Sequence, residues 1–498
     1  MGFDKLSPNG NLIFRDWVKT ARPTIKNLQG EAMQIFRTKP IVSDEFRETG
    51  LKRCLSAFDL ALLGIGAIIG TGIFVLTGIA AANQAGPAVV LSFVISGFAC
   101  AFAALAYAEL AAAVGGCGSA YGYSYAAFGE IVAWIIGWIL LLEYSVAVAA
   151  VANGWAGYFN NALVAMGMGL PEALTKAPEL GGIINLPAFT IILTLMGLLI
   201  VGVKQSAQLN TALVGVKLLT IAVFVGIAGF NVHPENWHPF MPYGWFDTLP
   251  DGKTVGVLAG ASLVFFAYVG FDAVSTAVEE AMNPQRDVPI GIIASLAFCT
   301  VIYIVVAGLL TGVVPYTELG VSSPVAHALQ LMGYNWASAL VATGVIAGLT
   351  TVMLVLYYGL TRILFAMSRD GLMSPFFAEV NEKTQTPVRV IVISGIIMAT
   401  TAGLFPLGAL AELVNIGTLA AFVLVCLGVI VLRIRQPHLH RPFKNPLNPV
   451  FPLLGAFSCA ALMAFLPAIT WLRFLVWLLI GLIVYFTYSI RHSKLAGK

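Results

Sequence analysis

Residues 263–291 read LVFFAYVGFDAVSTAVEEAMNPQRDVPIG. The first half is as apolar as lipid, yet Gly270 interrupts it and Asp272 follows. Glu279 and Glu280 come near the end of the apolar run. A carboxylate at membrane depth is costly and usually faces a pathway or a partner. A glycine in such a helix serves close packing or marks an unwound stretch whose free N–H and C=O groups line a polar site. The fold depends on which of these applies, and on whether another part of the chain repeats the pattern.

Composition sets the frame. Of 498 residues 59% are apolar and 10% charged, against roughly 25% charged in soluble domains. Mean hydropathy is +0.88, as in a polytopic membrane protein. A net charge of +3 gives no reason to expect a nucleic-acid partner. The cysteines are scattered without a C-x-x-C pair and read as small hydrophobes. No histidine has metal-ligand spacing within an apolar run, and His438 and His440 stand among arginines in RQPHLHRPF. Neither a Walker motif nor a catalytic triad is visible. The expectation is no metal, no cofactor, no ATP hydrolysis and no enzyme. The first 50 residues are polar and basic; no cleavable leader is expected, and NLIFRDWVKTA (11–21) has the makings of a short amphipathic helix.

About 20 apolar residues span a bilayer. Twelve runs qualify: 58–82, 86–111, 121–149, 186–203, 207–230, 254–281, 290–314, 337–369, 388–405, 408–432, 451–470 and 473–490. The connection 150–185 is expected to carry a short amphipathic helix outside. With the N-terminus inside, 23 of the 27 Lys and Arg fall on the cytoplasmic side, while Lys176, Lys253 and Arg473 fall outside. The positive-inside rule therefore puts both termini in the cytoplasm of a multi-pass cell-membrane protein. Glu109, near the inner end of the second run, is expected to pair with a cytoplasmic-side Lys or Arg.

The first run contains GAIIGTGIF (66–74), with glycines at 66, 70 and 72. Its spacing suits packing as well as unwinding. The break in the sixth run tips the balance, because the first and sixth runs hold matching places in two five-helix halves. That is the pattern of inverted-repeat secondary transporters, whose substrate sits at the breaks. Half-helix N-termini attract anions and free carbonyls attract cations, so a zwitterion such as an amino acid suits both. The expected fold is all-α, with twelve transmembrane helices in a 5+5 inverted repeat plus two C-terminal helices. Helices 1 and 6 are unwound mid-membrane. The expected divisions are 1–57 (cytoplasmic segment), 58–230 (first repeat), 231–432 (second repeat) and 433–498 (helices 11 and 12 with the C-terminus).

These residues resemble the amino acid–polyamine–organocation superfamily, and within it the bacterial form of the cationic amino acid transporter family. The likeness begins at FRTKP (36–40) and continues in GLKRCLSAFDLALLGIGAIIGTGIF (50–74). It is also carried by FFAYVGFDAVSTAVEEAMNPQRDVPIGI (265–292) and YGLTRILFAMSRDGLMSP (358–375). One departure is VGGCGSAYGYSY (114–125), with Gly115 where the family has proline.

The resemblance implies a leucine-transporter-like fold and import of amino acids with protons. Thr71 and Gly72, with Gly70 beside them, would offer hydroxyl and N–H groups to the substrate carboxylate. The carbonyls of Ile68, Phe266 and Val269 would accept from its ammonium. The Phe266 ring would gate the site, or else simply pack. Asp272 matches a position linked to proton coupling or gating; a structural salt bridge is the alternative. From the residues themselves, Ala147, Ala149 and Ala150 leave room beside the substrate, and Met353 either caps a side-chain pocket or packs. Glu143 is the one acid in the middle of the third run. It would meet a cationic side chain, carry a proton, or pair with another membrane group. A small neutral substrate such as alanine is as well supported as arginine.

Lys217 stands inside NTALVGVKLLTIAVF (210–224). Insertion scales charge a central lysine roughly 2.5–3.5 kcal/mol, so it needs acceptors. Sodium-coupled relatives of this fold hold an ion between spans 1 and 8, and here Thr350 and Thr351 would supply the span 8 hydroxyls. In proton-coupled relatives a span 5 lysine enters that space, where Lys217 would lie. It would replace sodium and couple transport to protons, or act as a permanently charged strut. The leading expectation is a sodium-independent, proton-coupled importer. The alternatives are an amino acid exchanger and, from another class, a channel or a non-transporting amino acid sensor. A monomer in the lipid bilayer is expected; a small single-span subunit would leave no mark on this sequence.

Overall fold

In the computed structural model the described residues are 36–39, 53–114, 119–201, 207–250, 252–381 and 386–495. Among them, eight helical stretches are long and apolar enough to cross a membrane. Four shorter apolar helices accompany them, Ala57–Ile68, Leu186–Val201, Val388–Leu404 and Val450–Ala464. The protein is a helical membrane protein. Gly115 and the 11–21 segment lie outside the described residues.

Helix α1 (Ala57–Ile68) starts at a reciprocal cap. The Ser56 hydroxyl accepts from the Asp59 N–H at 3.3 Å, and the Asp59 carboxylate accepts from the Ser56 N–H at 2.9 Å. It stops at Ile69, which is extended (φ −72°, ψ 99°). The chain resumes as a π-helical turn (Gly72–Leu76), α2 (Thr77–Ala80) and a second π-helical turn (Ala81–Ala85). Then come α3 (Val89–Val114), α4 (Ser119–Ala127), α5 (Glu130–Ala165), α6 (Leu186–Val201) and α7 (Ala207–Ala228). A two-residue hairpin, β1 (Asp247–Thr248) with β2 (Thr254–Val255), precedes α8 (Val257–Val264). After α8 the chain is 3-10 helix (Phe265–Tyr268), breaks at Val269–Gly270, and continues as 3-10 helix (Phe271–Glu280). The remaining helices are α9 (Pro284–Val313), α10 (Pro324–Leu331), α11 (Asn335–Arg369), α12 (Val388–Leu404), α13 (Leu407–Arg435), α14 (Val450–Ala464), α15 (Ala468–Val484) and α16 (Ile490–His492).

Two sequence expectations fail at the third run. The 121–149 stretch is not one helix: Gly129, at φ +102°, ends the approach from α4, and α5 begins at Glu130. Nor does 150–185 carry a separate short helix: α5 continues to Ala165 and only short 3-10 turns follow. Polar residues such as Asn153, Asn160 and Asn161 hid that extension from a hydropathy reading. Asn153 in fact donates to the carbonyls of Ala402, in the last turn of α12, and Phe405, just past its end.

The broken segments lie between α3, α5, α9, α11 and α13. Helix α9 packs on α1 and α3, α5 packs on α11 and α13, and α7 packs on α1 and α11. Polar ties fix the periphery. Glu109, buried near the end of α3, receives Arg433 through Nε (2.8 Å) and Nη2 (2.6 Å) and the Asn445 N–H (2.7 Å). Arg441 stands 3.5 Å away. The arginine pairing expected for Glu109 is thus present. Trp138 and Trp477 stack at 4.6 Å and exchange indole–carbonyl hydrogen bonds, which staples α15 to α5.

Candidate functional site at the paired helix breaks

The two breaks meet because small residues let their backbones touch. Gly72 lies so close to the Ala267 backbone that no Cβ would fit. Gly270 adopts φ +120°, a conformation open to glycine, and a Cβ there would sit 3.0 Å from the Ala67 carbonyl. Each break frees carbonyls from the helical ladder, and each freed group needs a partner in this buried setting.

Side chains from neighbouring helices supply several of those partners. Lys217 Nζ, on α7, donates to the Gly66 carbonyl at 2.6 Å. The Tyr303 hydroxyl, on α9, lies 2.8 Å from the Ile68 carbonyl and 2.9 Å from the Ala267 carbonyl. A phenol has one hydrogen, so it serves one carbonyl at a time while holding both segments in register. Asn415 Nδ2 donates to the Ser262 and Leu263 carbonyls (2.7 and 3.0 Å) at the end of α8. The Phe266 carbonyl accepts the Val269 N–H at 3.2 Å. The Ile68 and Phe266 carbonyls, expected from the sequence to meet a substrate ammonium, are therefore engaged within the protein.

Between the breaks is a small cavity of about 20 Å³. Ile68, Gly70, Thr71 and Gly72 line it from the first break, Phe266 and Val269 from the second. Its side walls are apolar: Ala147 and Val151 from α5, Val352 and Leu356 from α11. Thr71 is fully buried, and its hydroxyl has no hydrogen-bond partner among the described residues. An orphaned buried hydroxyl at a cavity wall is a group awaiting a ligand or water.

Six of the seven substrate-site residues expected from the sequence thus share one cavity. Met353 is the exception. It is buried but does not line the space; Val352 and Leu356, one turn apart, face it instead. A helix rotates about 100° per residue, so a one-residue error moves a side chain off the wall. Of the alanines, Ala147 lines the cavity and Ala149 and Ala150 do not.

The acids lie behind the cavity. Asp272 is buried, receives the Tyr144 hydroxyl at 3.4 Å, and is met by backbone groups of Gly270 and Ala273. Glu143 is buried one turn before Ala147 and meets Thr418. Neither makes an ion pair among the described residues, so the structural salt bridge weighed for Asp272 is not formed there. Lys217 lies buried between the first span and α11. Its ammonium reaches the first break, and its methylene stem crosses Gly348 of α11. The hydroxyls of Thr350 and Thr351 instead turn back to the Ile346 and Gly348 carbonyls of their own helix. Thr350 also accepts the Trp155 indole N–H at 3.0 Å.

Paired helix breaks around a buried cavity are a transporter's geometry, and comparison with known proteins agrees. Residues 55–489 match the family model described as amino acid permease. The chain belongs to the amino acid permease family. It is similar to the methylthioribose transporter of Bacillus subtilis (strain 168), 47% identical over 93% of this chain and 99% of that protein. It is similar to the branched-chain amino acid permease BcaP of the same organism, 50% identical over 93% and 99%. Cationic amino acid transporter 4 of Homo sapiens is 40% identical over 83% of this chain and 65% of that protein. This permease is thus an integral membrane transporter and not an enzyme.

Sequence reading of this permease missed Tyr303, Asn415, Trp155 and Tyr158. Tyr303 and Asn415 sit in apolar runs where an aromatic or lone amide looks like core, and Trp155 and Tyr158 fall in the stretch read as a connection. For Tyr303 and Asn415 the signal is the break itself, since a freed carbonyl demands a donor.

Proposed function

We propose that this permease is a proton-coupled, sodium-independent amino acid importer working by alternating access. Its architecture is the twelve-span, leucine-transporter-like 5+5 repeat, with both termini in the cytoplasm and the divisions 58–230 and 231–432 as its two halves. The observation that carries the reading is the 2.6 Å bond from Lys217 Nζ to the Gly66 carbonyl. It puts a fixed ammonium at a carbonyl that a sodium ion would otherwise need. Asp272 and Glu143, two buried carboxylates without ion-pair partners among the described residues, are the further proton-carrying groups.

The substrate is a small or branched neutral amino acid. Its carboxylate meets the Thr71 hydroxyl and the N–H groups at Gly70–Gly72. Its side chain lies against Ala147, Val151, Val352 and Leu356, a wall without charge. A cationic side chain would be left there without an acceptor. The similarity to BcaP, a branched-chain amino acid permease, points the same way. Thermal stabilisation of the detergent-purified protein across the twenty amino acids tests this, with methylthioribose included because a relative of nearly equal similarity is a transporter of it. Stabilisation by neutral aliphatic amino acids is expected; a response to arginine or lysine alone contradicts the reading. Uptake that needs amino acid on the opposite side would make the protein an exchanger.

A further inference from the structure

The resumed half of the first span lies along one face of α5. Ala147, Val151, Gly154 and Tyr158 follow at spacings of four, three and four and so form one stripe. Ala147 and Val151 line the cavity. The Tyr158 hydroxyl donates to the Phe74 carbonyl, in the π-helical turn, at 2.9 Å. Between them, a Cβ on Gly154 would fall 2.5 Å from Thr71 Cγ2 and 2.7 Å from Thr71 Oγ1. Both are well inside van der Waals contact.

We propose that Gly154 is a positioning residue of the substrate site. The volume its missing side chain leaves is occupied by Thr71, and this fixes where the Thr71 hydroxyl is presented to the cavity. The inference rests on the reading of the cavity as an amino acid site, and adds a residue that touches no substrate. Thr71 cannot retreat as a backbone unit, because its neighbour Gly72 already abuts the Ala267 backbone. Tyr158 pins the same segment one turn further along α5. A methyl group at 154 must therefore turn the Thr71 side chain or part the first span from α5. Either movement withdraws the one orphaned hydroxyl on the cavity wall.

A double-mutant cycle in the full-length protein tests this: wild type, Gly154→Ala, Thr71→Ser and the pair. Melting temperature is read alone and with L-leucine or L-alanine. Gly154→Ala is expected to lower the ligand-free melting temperature and weaken amino acid affinity about tenfold or more, the scale of a lost hydrogen bond to a charged group. Thr71→Ser removes the methyl nearest the new Cβ and keeps the hydroxyl. The 2.7 Å contact to Oγ1 remains, but the space of the lost methyl lets the serine hydroxyl yield, so adding Gly154→Ala to that background should cost less than adding it to wild type. If Gly154→Ala alone does not fold, a folded, ligand-responsive double mutant is the same rescue. An additive cycle, or Gly154→Ala that behaves as wild type, overturns the proposal. A wild type that responds to no amino acid would instead count against the amino acid reading, and the ligand-free melting cycle would still decide the Gly154–Thr71 contact.

Discussion

Lys217 Nζ stands 2.6 Å from the carbonyl oxygen of Gly66, joining α7 to the point where the first span leaves its helix. The donor is buried and the acceptor has lost its helical partner at the break, so each satisfies a group that would otherwise be costly to leave alone.

Gly348 makes room for that reach. A Cβ there would lie 2.9 Å from both Cγ and Cε of Lys217. Gly348→Ala is expected to destabilise the protein by about 1–3 kcal/mol, the usual cost of overpacking. It should impair uptake more than amino acid binding, because Gly348 does not line the cavity. Melting curves and proteoliposome uptake of the same preparation check both halves.

Thr71→Val should separate binding from folding. The hydroxyl it removes is buried and unpartnered among the described residues, so the ligand-free protein should be as stable as wild type or slightly more so. Amino acid affinity should fall by about 10–100-fold, as expected for losing a hydrogen bond to a carboxylate worth ~1.5–3 kcal/mol. Isothermal titration of the two proteins reads the difference.

Tyr303→Phe should loosen the pairing of the breaks. It leaves the Ile68 and Ala267 carbonyls without the phenol that reaches both. An unsatisfied buried group costs about 1–3 kcal/mol. Faster hydrogen exchange confined to 66–72 and 264–270 is the expected signature.

Glu109→Gln should act at a distance from transport. Glu109 is 1% exposed and receives Arg433 and the Asn445 N–H. Breaking a buried pair on one side costs about 3–5 kcal/mol, and the partial exposure of Arg433 puts this case at the low end. A lower melting temperature with unchanged ligand affinity is expected.

The apolar runs were legible because lipid leaves so little freedom of composition. The paired breaks were legible because a carboxylate beside a glycine at membrane depth is costly unless the helix opens there onto a polar site. Gly70, Thr71, Gly72, Phe266 and Val269 at those breaks could be named only through the family resemblance. What hydropathy could not supply was rotation and extent. It missed that Val352 rather than Met353 faces the cavity, since adjacent residues in an apolar helix look alike. It missed that α5 runs to Ala165, since Asn153 there bonds to the end of α12 and Asn161 to Ser323 rather than to water. The Thr350 and Thr351 hydroxyls looked like ion ligands, but a threonine in a helix can always turn back to a carbonyl one turn away.

The central claim is that the Lys217 ammonium takes the place of a sodium ion and couples amino acid entry to protons. Uptake of a stabilising amino acid into proteoliposomes, driven by an inward proton gradient in sodium-free buffer, tests it most directly when wild type is set beside Lys217→Ala. Accumulation above equilibrium by wild type, abolished in Lys217→Ala, is the predicted result. A wild type that accumulates only with sodium, or a Lys217→Ala protein that still accumulates on the proton gradient, would contradict it.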